Sequence, residues 1–269
     1  MKKMNKSKYL FHASSPSAHM FKVIAEILQT NLKTSCFQLK SEGLFLRQMD
    51  ENRATLIDLK LNASKFETFE FNPVGKDESV FIGLTLTHLY KLLKTVKKKD
   101  SITLYILHSE PTEIAIQVTP KNNNRITTSF LKIQRVQNIL VDVPHGYNTD
   151  PVPLPSSEFQ KIYKDILSIG KTVTVSATGS VLQFDVDAGG IVKRRVEYGD
   201  MSTKTDYDTP RYSELFDTEQ LVKLSKVCNL SESLNIYTEK NLPFLISGDV
   251  GQLGTISIFV KCKINLNSH

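Results

Sequence analysis

The order helix, strands, helix, strands can be read twice along this chain, once on each side of a proline-rich stretch. Two such sets of amphipathic elements each need their own partners to cover their apolar faces, so the chain is constrained to two domains of like architecture, of the α+β class. The spacing predicts a first helix over 17–32, where Phe21, Ile24, Ala25, Leu28 and Leu32 share a face, then alternating strands over 36–40, 44–49, 54–61 and 67–71. A second helix is expected over 85–97, with Leu86, Leu89, Leu93 and Val96 inward and Lys98 among its outward residues, followed by strands over 101–107, 113–119 and 127–135. From 136 to 155 the periodicity fades and Pro144, Gly146, Pro151, Pro153 and Pro155 accumulate, which marks a linker. The pattern then restarts: a helix over 156–169, strands over 172–177, 181–187 and 191–197, a polar loop over 199–211, a helix over 218–228, and strands over 233–238, 243–249 and 255–263. The expected domains are 9–135 and 156–266, behind a basic extension over 1–8; the halves share architecture but little residue identity.

A length of 269 residues suits two ordinary domains, and a 40% hydrophobic, 23% charged composition with no long apolar run points away from a membrane partner. The basic N-terminal residues are not followed by an apolar run and cleavage site, so no secretory signal is expected. Cys36, Cys228 and Cys262 are far apart and lack zinc-site spacings; they read as buried thiols of a reducing compartment. Gly248, Gly251 and Gly254 resemble a phosphate loop in spacing, but with no helix after them they read as a turn with close backbone approach. The six histidines are scattered, and Asp185 with Asp187 reads as a solvated strand pair. No catalytic residue, metal site or cofactor is expected.

The net charge of +6 favours a polyanion, and its distribution is more informative. Lys91 with Lys94, Lys161 with Lys164, and Lys223 with Lys226 stand three apart on predicted helices, and Lys22 lies on the first helix. One such helix is an ordinary solvated face; recurrence on several points to a single basic surface. Lysine is a flexible point charge that holds phosphate without reading sequence. Neither an aromatic stripe for stacking bases nor an Arg/Asn/Gln-rich recognition helix is visible.

The stretch from Leu44 to Leu61 reads as a hairpin broken by Asp50-Glu51-Asn52, and it carries the pattern Leu-x-x-Met-Asp-x-x-x-x-x-Leu-x-x-Leu-x-Leu. This wording, with Leu86 to Leu104, Pro155-Ser156-Ser157-Glu158-Phe159 to Gly170, and Leu242-Pro243-Phe244 to Lys261, resembles the proliferating cell nuclear antigen family of sliding clamps from Lys8 to Lys263. The resemblance implies a ring-forming clamp fold, two similar domains each with two helices packed on antiparallel sheets, in which the helices line a channel. Lys22, Lys91, Lys94, Lys164 and Lys226 match basic channel positions; Lys161 and Lys223 are added by helical geometry. Gln29, Ser168 and Glu219 depart from basic family positions, which points to a less positive channel than usual.

The family's partner-peptide groove maps to Met49, Leu56, Val141, Val143, Pro144, Pro243 and Phe259, although by sequence alone Leu56 and Val143 read as core. Val260-Lys261-Cys262 and Arg53 depart from the groove pattern, and Thr178-Gly179-Ser180 lacks the lysine that relatives use for ubiquitin-type modification. Subunit joining is expected through Arg125, Thr127, Ser129 and Leu131 of one chain against Ile191, Lys193 and Arg195 of the next, giving a homotrimer; both segments are basic, so no charge complementarity supports the join. The implied function is that of a DNA polymerase processivity factor, not an enzyme, encircling double-stranded DNA and tethering polymerase and other replication and DNA repair proteins, with a clamp loader ATPase to open it. The alternative is an open monomeric or dimeric viral processivity factor gripping DNA on one basic face; a metal-dependent enzyme on the same fold would need clustered acids. The location follows from the source: the nucleus for a cellular member, a replication site for a viral one.

Overall fold

The computed structural model describes residues 8–75, 78–122, 125–136, 141–203 and 210–263. The expected basic extension over 1–8 lies outside the described residues except for Lys8. Two compact units result: Met1–Gln48, Asp58–Val141 and Val250–Thr255 form the first, and Met49–Ile57, Asp142–Asp249 and Ile256–His269 the second. The division falls at Val141–Asp142, inside the expected linker, and two short segments are exchanged across it. Backbone pairing holds them: the Lys261 N–H donates to the Ala54 carbonyl at 2.9 Å within the second unit, and the Asn62 N–H to the Leu253 carbonyl at 2.9 Å within the first.

The first unit contains β1 (Tyr9–Ser15), α1 (Ala18–Asn31), β2 (Thr34–Lys40), β3 (Gly43–Met49), β4 (Thr55–Asn62), β5 (Thr68–Phe71), β6 (Ser79–Thr85), α2 (Leu86–Leu93), β7 (Ser101–Leu107), β8 (Glu110–Thr119) and β9 (Thr127–Lys132), with the tip of the β3–β4 hairpin belonging to the second. One sheet runs β5-β1-β7-β8-β9, and a second set runs β4-β3-β2-β6. Strands β1 and β6 are not expected from the pattern. In β1, Leu10 and Phe11 are consecutive and both buried, which breaks the alternation that marks a strand.

The second unit contains β10 (Val152–Pro155), α3 (Ser156–Leu167), β11 (Thr172–Thr178), β12 (Val181–Asp187), β13 (Lys193–Tyr198), β14 (Tyr212–Asp217), α4 (Thr218–Lys223), β15 (Ser233–Tyr237), β16 (Phe244–Asp249) and β17 (Gly254–Val260), the start of β17 belonging to the first. Its sheets run β13-β12-β11-β14 and β10-β15-β16-β17. Strands β10 and β14 are likewise additions to the expected set. Among the late glycines, Gly254 stands where a Cβ would run into the Lys60 carbonyl oxygen, a close backbone approach, and Gly251 takes a left-handed turn conformation (φ 53°).

Each helix buries its apolar stripe. Phe21, Ile24 and Leu28 of α1 and Leu86, Leu89 and Leu93 of α2 are buried, as are Phe159, Ile162 and Ile166 of α3 and Leu221 of α4. Full burial of such side chains contributes roughly 1.5–3 kcal/mol each. Two helices are shorter than their periodicity suggests. α2 stops at Leu93, and α4 stops at Lys223 and continues as a 3-10 stretch over Ser225–Asn229. In both places i→i+3 bonds (Val96 N–H to Leu93 O at 3.0 Å, Val227 N–H to Leu224 O at 3.0 Å) tighten the chain and use carbonyls the helix leaves unpaired.

The two units share a wiring that fixes which residues correspond. The Ala18 N–H donates to the Asp100 carbonyl at 3.0 Å, and the Ser156 N–H to the Glu232 carbonyl at 2.9 Å. The Leu86 N–H donates to the Lys33 carbonyl at 3.3 Å, and the Thr218 N–H to the Lys171 carbonyl at 2.9 Å. Counting from these bonds, Phe21 corresponds to Phe159, Leu89 to Leu221, Lys91 to Lys223 and Lys94 to Lys226.

Candidate nucleic-acid and partner interfaces

The helical lysines fall on the solvent side of their elements. Lys91, Lys94, Lys161, Lys164, Lys223 and Lys226 are exposed; Lys22 is half-buried, and its Nζ donates to the Val96 carbonyl at 3.4 Å. Lys226 lies on the 3-10 stretch rather than on α4, where residues three apart eclipse, so it keeps to the same side as Lys223. Among the described residues, Lys91, Lys94, Lys164 and Lys223 make no ion pair. Lys161 does: its Nζ donates to Glu158 at 2.7 Å, which offsets its charge. His19, next to Lys22 along α1, has its pKa lowered by burial first and then by the Lys22 and Lys98 ammonium groups, against a smaller opposing effect of Glu26.

The expected groove residues of the second unit divide by depth. Leu56 and Phe259 are 3% and 5% exposed and lie in the core, while Met49, Val143, Pro144 and Pro243 are half-buried. Val141 is half-buried and belongs to the first unit. Asp50 shapes the hairpin tip by accepting the Ala54 and Thr55 N–H groups at 2.7 and 2.9 Å, and Arg53 is exposed there in a left-handed conformation (φ 54°). Sequence reasoning misses Tyr147. Its ring lies 6.2 Å from Phe259 and 5.9 Å from Tyr237, and its hydroxyl donates to the Pro243 carbonyl at 2.7 Å. Burial, and then the Glu239 carboxylate, push its pKa up, so it stays a neutral donor. Glu239 accepts the Asn148 and Thr149 N–H groups at 3.2 and 3.1 Å, so the linker's end is pinned beside Pro243. The signal in the sequence is a single aromatic in a polar, proline-rich stretch.

The expected joining segments lie on open edges: β9 ends one sheet and β13 ends another. Thr127 is exposed and Ser129 half-exposed on β9, whereas Leu131 is 8% exposed and faces the core, so only its backbone is at the edge. Arg125 precedes β9, with its Nε donating to Thr127 Oγ1 at 3.4 Å, and Ile191 precedes β13. The basic residues of β13 are paired within the unit: Lys193 with Asp187 at 3.3 Å, Arg194 with Asp165 at 3.6 Å and Arg195 with Asp185 at 2.7 Å. Cross-strand register sets two of these pairs, since Asp185 stands opposite Arg195 and Asp187 opposite Lys193. Cys36, Cys228 and Cys262 form no disulfide; Cys228 and Cys262 are buried as expected whereas Cys36 is half-buried, and burial raises the pKa of Cys36 and pushes Cys228 up to about 12.

Comparison with known proteins accounts for this layout. The family model for the proliferating cell nuclear antigen N-terminal domain matches residues 10–142, and that for its C-terminal domain matches residues 145–263. Proliferating cell nuclear antigen of Dictyostelium discoideum is 25% identical, over 95% of this chain and 100% of that protein. A probable DNA polymerase sliding clamp of Paramecium bursaria Chlorella virus 1 is 20% identical, over 96% of this chain and 98% of that protein. The crystal structure of the Entamoeba histolytica protein superimposes with a TM-score of 0.80 at 18% identity, covering 95% of this chain and 99% of that one. The chain belongs to the proliferating cell nuclear antigen family and is a DNA sliding clamp, a processivity factor rather than an enzyme.

Proposed function

We propose that the protein closes as a homotrimeric ring around double-stranded DNA, turns its helical lysines to the phosphates and holds partner tails in the groove of its second unit. The observation that carries the ring is the pair of open edges. Large apolar side chains stand exposed at both: Ile126 and Phe130 at 59% and 57% near β9, Ile191 and Val192 at 89% and 45% near β13. An unpaired edge beside exposed apolar groups invites another strand, and head-to-tail pairing of β9 with β13 of a second copy covers both while closing into a ring. The charge conflict of the sequence is reduced by Asp165, Asp185 and Asp187, which already engage the cations of β13.

Exposed lysines give weak, salt-sensitive contacts to a phosphate track that looks alike at every step, which suits sliding. Leu56 and Phe259 under a half-buried rim form an apolar anchor site of the kind that holds a short peptide of a DNA polymerase or another replication or repair protein. A closed ring needs opening to admit DNA without ends, and a clamp loader ATPase supplies that step. The site of action is the nucleus for a cellular source and the viral replication site for a viral one, the viral relative at 20% identity keeping both in view.

The test is absolute mass in solution across a dilution series, then retention on circular against linear duplex DNA. A trimer retained on circles and lost from open ends is expected. A monomer at every concentration overturns the ring and leaves a one-sided grip on DNA. Replacing Asp185 with Asn frees Arg195 at the edge and moves trimer dissociation to severalfold higher protein concentration.

A further inference from the structure

The turn between α2 and β7 carries Lys97, Lys98 and Lys99 in succession, all exposed. It is tightly tied. Asp100, 6% exposed, accepts the Lys97 N–H on its carboxylate at 2.8 Å, donates its own N–H to the Lys97 carbonyl at 3.2 Å, and offers its carbonyl to the Ala18 N–H at 3.0 Å at the start of α1. Lys22 reaches the same turn through the Val96 carbonyl. Three exposed lysines are therefore anchored through their backbone just beyond Lys94, in a turn that the Lys22 ammonium touches at its first residues. His19 on α1 responds to both Lys22 and Lys98, so of the three turn lysines Lys98 acts on the exposed side of α1 together with Lys22.

Folding gives no reason for lysine here. The corresponding turn of the second unit is Asn229-Leu230-Ser231 followed by Glu232, and it closes through the equivalent bond from Ser156. Among the described residues Lys97, Lys98 and Lys99 make no ion pair, so their mutual repulsion is only partly offset, by the Asp100 carboxylate that holds the turn's backbone. The helical layers of the units differ accordingly. The first has Lys22, Lys91, Lys94, Lys97, Lys98 and Lys99 against Glu26 and the buried Asp100; the second has Lys161, Lys164, Lys223 and Lys226 against Glu158, Asp165, Glu219 and Glu232.

We propose that the Lys97–Lys99 turn is a further phosphate-binding element and that, with Lys22, Lys91 and Lys94, it makes the first unit the principal electrostatic contact to duplex DNA. This rests on the reading of the helical faces as the DNA-facing surface. A phosphate backbone is the polyanion that fits: closely spaced point charges with no hydrogen-bonding fork hold repeating phosphates and do not select a base.

The experiment uses the full chain and measures duplex affinity against salt for a triple variant (Lys97→Ala, Lys98→Ala, Lys99→Ala) and a double variant (Lys223→Ala, Lys226→Ala). The triple variant is expected to lower the log-log salt slope by roughly two to three, at about 0.9 per phosphate contact, and the double variant by less than about one. The corresponding triple arginine variant should keep the native slope, which shows that charge rather than turn geometry is being read. A triple variant with the native slope beside a weakened double variant overturns the proposal and leaves the clamp reading standing. If both variants and a Lys91→Ala/Lys94→Ala pair all keep the native slope, the helical faces are not the DNA surface at all.

Discussion

The two units are wired alike and charged unlike. Both start their first helix from a hydrogen bond to the end of the turn after their second helix, both bury an aromatic at the same place on that first helix, and both place lysines three apart at the end of the second. The turn that follows is Lys97-Lys98-Lys99 in one and Asn229-Leu230-Ser231 in the other, and the first helix of the second unit brings Glu158 against its own Lys161. The apolar positions are what the fold demands, so they match. The solvent face is free to vary, so a difference of charge there reports on what each unit touches.

The largest expected effect comes from reversing charge where the first unit is richest. Lys91→Glu with Lys94→Glu should reduce duplex affinity by more than roughly tenfold and lower the salt slope by about two, since two contacts are lost and two repulsions added. The same reversal at Lys164 and Lys223 should cost clearly less. Equal losses in a filter-binding salt series would mean that the units share the load. A smaller effect runs the other way. Glu158→Gln releases Lys161, so affinity should rise and the slope increase by up to about one, bringing the second unit toward the first. Both partners of that pair are largely solvated, so thermal stability should change by no more than about 0.5 kcal/mol. A fall in affinity would show that Lys161 points away from the phosphates.

Much of this comparison was legible in the sequence because helices announce their buried face: Phe21, Ile24 and Leu28, or Phe159, Ile162 and Ile166, recur at a spacing only a helix can use. What was hidden depends on partners distant in sequence. α2 ends early because Asp100 ties the lysine turn to α1, and a run of periodic residues cannot reveal that bond. The edge segments read as mutually repulsive because register is invisible along a single strand; only the pairing of β12 with β13 puts Asp185 opposite Arg195. Leu131 reads as an edge residue and is instead core, since the strand's alternation turns it inward. The groove's apolar residues came from the family pattern, while Tyr147 acquires its place only where the linker folds back on Pro243 and Phe259.

The finest test of the difference is the titration of His19, read by NMR. Burial, and then Lys22 and Lys98, disfavour its imidazolium, with Glu26 opposing, so in the folded protein it should titrate below the ordinary histidine value of 6.5. Between the folded and unfolded values the unfolded chain binds more protons, so His19 favours the folded state above the ordinary value and loses that contribution as pH falls through it. Lys98→Ala removes one repulsion and should raise the His19 pKa, though not to the ordinary value, because burial and Lys22 remain. Duplex DNA should raise it too: phosphates drawn to the lysine turn bring negative charge to the same face and favour the imidazolium. If Lys98→Ala moves the pKa while saturating DNA does not, the turn's positive field is real but the phosphates lie elsewhere, and the charge difference between the units must be explained by some other anionic partner.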